Sequence, residues 1–174
     1  MKLIFIIIMI AGVSSIRASG QSPNRDSELS INLRVLNEQR SYTIKDSIKL
    51  QFEVVNSSSS PIGIFSKLGM GYQGGIILHL LDRSGAEIQP PVMAHDSLNL
   101  SEMQDKRNYF SLPPGELLGA RQTFILSDLV TKPGHYKLLA EYHSPVDAKY
   151  ADIPNFWSID RKSIVSSQIE LQVK

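Results

Sequence analysis

Apolar and polar residues alternate with a period of two along most of the chain after residue 28, the pattern of half-buried β-strands. Ile31, Leu33 and Val35 share one face against Asn32, Arg34 and Leu36. Ile48, Leu50, Phe52 and Val54 then alternate with Lys49, Gln51 and Glu53, up to the turn Asn56-Ser57-Ser58-Ser59-Ser60-Pro61. A helix would scatter those apolar residues around its circumference, so a strand with Lys49, Gln51 and Glu53 outward is expected. A short strand follows Pro61 over residues 62–65. Residues 76–82 are apolar on both faces, which predicts a central strand covered on both sides or one with its second face under a loop. Asp82-Arg83-Ser84-Gly85 reads as a hairpin turn of type I with a bulge, Gly85 supplying the positive φ.

Residues 90–108 hold no sustained period beyond one helical turn near 101–104, and a connection of this length is functional or mobile. Strands are expected again at 109–112 and 120–126. Lys132-Pro133-Gly134-His135 places Pro and Gly at the central positions of a type II turn. Tyr136, Leu138, Ala140 and Tyr142 form the inner face of the next strand, and Ile169, Leu171 and Val173 that of the last, with a long loop over 144–163 between them. About seven to nine short strands with Pro-Gly turns predict an all-β, antiparallel sandwich over residues 29–174.

The first residues read differently. Lys2 precedes an apolar run over residues 3–13 without a charge, followed by small and polar residues ending Ala18-Ser19-Gly20, which is the grammar of a signal peptide. The run is about half the roughly 20 residues that span a bilayer. A signal peptide over 1–20 and a polar, flexible leader over 21–28 are therefore expected, with a secreted or periplasmic mature protein that has no integral membrane segment. The chain carries 18 Lys plus Arg and 17 Asp plus Glu, without the basic excess of a nucleic-acid binder. It contains no cysteine, which excludes disulfides, thiolate metal sites and cysteine nucleophiles.

The run over 129–142 (LVTKPGHYKLLAEY), with Gly134-x-Tyr136, resembles the corner before strand F of immunoglobulin-like domains. There a tyrosine hydroxyl bonds upstream backbone while its ring packs in the core. Leu138 stands where antibody domains place their second cysteine, so the chain resembles the disulfide-free sandwiches. IKLQFEVVNSSSSPI, the DRSG hairpin, LPPGE and PGHYKLLAEY together, over roughly 47–144, also resemble the Bacillus intracellular proteinase inhibitor family and immunoglobulin-like domains of secreted bacterial proteins. The resemblance implies an immunoglobulin-like fold, structural roles for Tyr136 and Gly134, and an inhibitor as the alternative function.

Candidate chemistry is sparse. Gly69-Met70-Gly71-Tyr72-Gln73-Gly74 matches the G-x-G-x-x-G pattern of dinucleotide-binding turns, but the residues after it read as a strand, so the glycines are expected to form a loop that brings Tyr72 to the surface. His135 and His143 lie on one strand face but about 26 Å apart, too far to bind one ion. Glu141 and His143, about 7 Å apart, would need a third ligand from another strand to hold a metal; a solvated face is the simpler reading. His79 is expected to be a hydrogen-bonded core or semi-buried residue rather than a base, and His95 a surface one. Asp147, Asp152 and Asp160 share one loop without the compact spacing of a calcium site. Serine-hydrolase and zinc-protease motifs are missing from the sequence. Asn56 and Asn99 occupy glycosylation sequons.

The remaining candidate is the 144–163 loop. It is longer than its two strands require, and loops of this kind carry binding on a rigid scaffold. Tyr150, among Asp147, Lys149 and Asp152, is expected to face water, whereas Trp157 is expected to plug the end of the sandwich. The expectation is a non-catalytic, cofactor-free binding or accessory domain that contacts an extracellular or periplasmic protein or glycan through Tyr150, Asp147, Asp152 and Tyr72. A proteinase inhibitor is the alternative, and a hydrolase or metal-dependent enzyme the less favoured third.

Overall fold

A computed structural model describes residues 28–91 and 96–174; the expected signal peptide, all but the last residue of the leader, and His95 lie outside the described residues. β1 (Leu29–Val35), β2 (Ser47–Asn56) and β8 (Leu117–Ile125) form one antiparallel sheet with β2 central. β9 (Gly134–Tyr142) and β5 (Gly75–Asp82) pair antiparallel at the centre of the other. The short strands β4 (Gly69–Met70) and β6 (Glu87–Ile88) flank β5, while β10 (Ile164–Val165) and β11 (Ile169–Val173) flank β9. β3 (Ile62–Phe65) and β7 (Tyr109–Leu112) make a separate two-stranded ribbon. The fold is an antiparallel, immunoglobulin-like β-sandwich. Eleven strands occur among the described residues, more than the seven to nine expected, because β4, β6 and β10 are two-residue pieces too short for an alternation to register.

The period-two pattern explains the layering. Ile48, Leu50, Phe52 and Val54 of β2 face Leu80 of β5 and Leu138 and Ala140 of β9 across one apolar core, all fully or almost fully buried. Glu53 departs from its expected exposure: on the outer face of β2 it is covered by Gln51, whose amide donates to it, and by the Arg34 guanidinium at 3.5 Å. A buried carboxylate needs such partners.

The second face of β5 is not covered as expected. Ile77, His79 and Leu81 are half-buried on the open side of the sheet. The Asp82 turn closes as predicted, with Gly85 at φ +89° and the Asp82 carboxylate accepting from the backbone N–H groups of Ser84 and Ala86. Asn56 is fully buried, its amide donating to the carbonyls of Ser60 and Leu112 and its Oδ1 accepting from Ser58. The sequon at Asn56 is therefore closed to modification in the folded chain, because the acceptor nitrogen is consumed inside the fold. Asn99 caps α1 (Leu100–Gln104), the helical turn expected near 101–104.

The type II turn at Pro133-Gly134 does not form. Gly134 is not in the left-handed region that such a turn requires, and instead opens β9. Tyr136, buried on the same face of that strand, folds its ring back over Gly134 and donates its hydroxyl to the Lys132 carbonyl at 2.7 Å.

Candidate functional site

The glycines at 69–75 build a closed knot rather than a nucleotide-binding turn, since β5 and no helix follows them. Gly69 N–H donates to Gly74 O, Gly74 and Gly75 N–H both donate to Gly71 O, and Gly71 N–H donates to Ile76 O. Gly71 and Gly75 have φ of +83° and +87°, conformations that only glycine adopts cheaply. A Cβ on Gly74 would stand 2.3 Å from the Gly69 carbonyl carbon, so the two arms of the knot touch backbone to backbone.

Tyr72 sits at the tip of this knot, 60% exposed. Its ring stacks on His143 with centroids 4.4 Å apart and planes 28° apart. His143 follows β9 and is buried, its Nε2 donating to the Tyr72 carbonyl. A carbonyl only accepts, so the proton resides on Nε2. Its Nδ1 is buried without a partner among the described residues. One imidazole thus holds both the backbone and the ring of the most exposed large aromatic residue described.

Next on the open face, His79 Nδ1 lies 2.8 Å from Glu87 and Nε2 2.7 Å from Glu141. Two ionised carboxylates accept and do not donate, so this geometry calls for a doubly protonated ring. Burial alone would lower the His79 pKa, but the bonds and charges of Glu87 and Glu141 outweigh it and raise the value above the usual one. Burial likewise pushes Glu141 up, but Ser163 and His79 bonds with the charges of His79 and His143 bring it below the ordinary carboxylate range. Glu141 therefore faces His79 rather than joining His143 in a metal site. Among the described residues no group of three His, Cys, Asp or Glu side chains is arranged to hold a metal.

The 144–163 loop is laid against the ribbon. Gly63 bridges Phe156, with Trp157 N–H donating to Gly63 O and Gly63 N–H to Asn155 O. Being adjacent on extended chain, Phe156 and Trp157 point to opposite sides: Phe156 joins Phe65, Tyr109 and Val146 in a satellite core, and Trp157 enters the main one. Tyr150 is half-buried against the satellite core, with Lys149 5.1 Å over its ring and Lys106 donating to its carbonyl. This corrects the expectation that Tyr150 faces water. Asp147 caps the short turn at residues 148–150 through Lys149 N–H and pairs with the Lys149 ammonium at 2.9 Å. These contacts hold its carboxyl below the ordinary range. Asp152 is exposed.

The predicted binding residues are held by different local structures. Tyr72 belongs to the glycine knot, while Tyr150 and Asp147 belong to the strap over the ribbon. The Tyr72–His143 stack and the Glu87–His79–Glu141 array were missed in the sequence. Their one visible signal was Glu141 and His143 sharing the outer face of one strand, since His79 lies in a run that is apolar on both faces.

No family model and no curated protein sequence matches the chain. Among solved structures, it is similar to the sporulation control protein Spo0M from Bacillus subtilis at 13% identity and TM-score 0.42, over 85% of this chain and 50% of that one. It is similar to the CARDB domain of the PF1109 protein from Pyrococcus furiosus, solved with di-metal ions, at 12% identity and TM-score 0.39, over 92% of this chain and 95% of that one. A β-glucosidase, EmGH1 from Erythrobacter marinus, aligns at 14% identity and TM-score 0.39 over 84% of this chain. The chain spans 15% of that glucosidase and half of Spo0M. None of these likenesses bears on what the chain binds. No helix among the described residues is long and apolar enough to cross a membrane.

Proposed function

We propose that the chain is an exported, non-catalytic binding or accessory domain, acting at the cell surface, in the periplasm or outside the cell, and that it meets a protein or glycan ligand with the end of the sandwich that carries Tyr72. The support for export is the sequence around Lys2, residues 3–13 and Ala18-Ser19-Gly20. The observation that carries the binding reading is the presentation of Tyr72. Its ring is 60% exposed, yet the loop beneath it is closed by its own hydrogen bonds and the ring rests on a buried imidazole. Exposed aromatics anchor many interfaces, and a side chain fixed beforehand loses little entropy on binding. Tyr150 is half-buried and contributes from the strap as a secondary contact at most. The strap lies against the ribbon instead of projecting, which is unlike the free loop that the inhibitor reading needs.

The test is a screen of the full chain against surface glycans and extracellular proteins of the producing cell, run in parallel with Tyr72→Ala. A ligand retained by the parent and lost by Tyr72→Ala, at equal melting temperature, supports the reading. Ligands retained equally by both would refute it.

A further inference from the structure

A second site lies at the other end of β9, roughly 25 Å along the strand from His143. It is a groove of about 520 Å³, bounded by the 38–40 loop, Arg83 of the β5–β6 turn, the start of β9 and β11. This falls within the roughly 300–1,000 Å³ typical of ligand sites. Its walls carry Arg40, Arg83, His135 and Lys137, faced by Glu38 and Glu170. None of these six side chains takes part in any of the seven ion pairs found among the described residues, although Lys67, Arg107, Lys149 and Arg161 elsewhere on the surface each have a carboxylate partner.

The frame that holds them is stiff. The buried Tyr42 hydroxyl accepts from Gln39 N–H and donates to Asn37 O, while its backbone is tied to Gln172 and Lys174 at the end of β11. The Asp82 carboxylate and Gly85 fix the turn that presents Arg83. Tyr136, in the floor, is locked by its bond to Lys132 O.

We infer that this groove binds an acidic oligosaccharide of the uronate type, whose carboxylates meet Arg40, Arg83 and Lys137 and whose hydroxyls meet Glu38, Glu170, Gln39 and Gln172. Guanidinium groups bind carboxylates through two parallel charge-assisted bonds. A purely anionic ligand would be repelled by the two glutamates, whereas sugar hydroxyls donate to them. A peptide would need an apolar anchor pocket, and the apolar lining here, Tyr136 and Leu171, is buried. The inference is independent of Tyr72, which lies at the opposite end.

The experiment is calorimetric and NMR titration of the isotope-labelled full chain with trigalacturonate, alongside maltotriose and a triglutamate peptide. Trigalacturonate is expected to bind at low salt, to shift the Arg40 and Arg83 side-chain and His135 and Lys137 backbone resonances, and to bind at least about tenfold more tightly than either control. The double variant Arg40→Ala/Arg83→Ala is expected to lose about tenfold or more in affinity with an unchanged melting temperature, since both side chains are exposed. Lys137→Ala provides a second, milder variant with a smaller loss in the same direction. No binding of trigalacturonate, equal binding of triglutamate or maltotriose, or binding unaffected by the double variant would each overturn the inference.

Discussion

A Cβ on Gly134 would stand 3.2 Å from Cε2, Cζ and Oη of Tyr136, two residues along the same strand face. The glycine makes room for the tyrosine and does not serve a turn: the ring passes over residue 134 so that its hydroxyl reaches the Lys132 carbonyl at 2.7 Å. Removing the hydroxyl deletes one hydrogen bond and retains the ring, so Tyr136→Phe is expected to cost about 1 kcal/mol. Gly134→Ala requires the ring to give by a few tenths of an ångström and so strains the hydroxyl bond, and is expected to cost about 1 kcal/mol. Denaturant melts check both, and an unchanged midpoint for Tyr136→Phe would mean that the hydroxyl contributes nothing.

The Glu87–His79–Glu141 array makes stability depend on pH. The folded pKa of His79 is raised, so its contribution is fully present below the unfolded value of about 6.5 and is lost as pH rises through the folded value. Glu141 is lowered, so its contribution is present above its unfolded value of about 4.3 and is lost as pH falls through the folded one. Stability from the pair is therefore greatest between those limits and declines above the upper one. His79→Gln is expected to flatten that decline in melts taken across neutral and mildly alkaline pH. The His79 ring resonances should titrate with a midpoint above 6.5 in the parent.

The two aromatics of the strap should separate by burial. Trp157→Ala removes a core side chain and is expected to cost roughly 3–5 kcal/mol. Tyr150→Ala removes a half-buried ring from the satellite core and is expected to cost about 1–2 kcal/mol. A fully solvated Tyr150 would instead lie within about 0.5 kcal/mol of the parent. Chemical denaturation of the two variants decides between these values.

Asn56 joins the end of β2 to the serine turn and to β7 through bonds at both ends of its amide. Asn56→Ala leaves the Ser60 and Leu112 carbonyls without their donor and is expected to cost about 2–3 kcal/mol. In a glycosylating host, intact mass should show Asn56 unmodified.

The sequence was most legible where one face of a strand is buried. The positions of β1, β2 and β9 and the Asp82–Gly85 turn follow from alternation and turn chemistry, because side-chain period and glycine φ are local properties. β4, β6 and β10 were not legible, since two residues contain no period. The burial of Glu53 depends on Arg34 and Gln51 from two strands, and the half-burial of Tyr150 on Phe65, Tyr109 and Phe156, which are distant in sequence. Of the two readings of Gly134, the left-handed turn does not form, whereas its place beside the corner tyrosine holds; a close approach and a left-handed φ leave the same glycine in the sequence. The groove was illegible for a related cause, its charged residues being spread from Glu38 to Gln172 and brought together only by the pairing of β9 with β11.

If the glycine knot exists to present Tyr72, the dissociation constant of the captured ligand for Tyr72→Ala beside the parent, with thermal stability measured on the same samples, reads that role out. Truncating an anchoring aromatic is expected to weaken binding by about 2 kcal/mol, roughly thirtyfold, while the melt stays where it was because the ring is mostly in solvent. An unchanged dissociation constant would contradict that role, as would a melt that falls with the affinity and so makes Tyr72 a part of the scaffold.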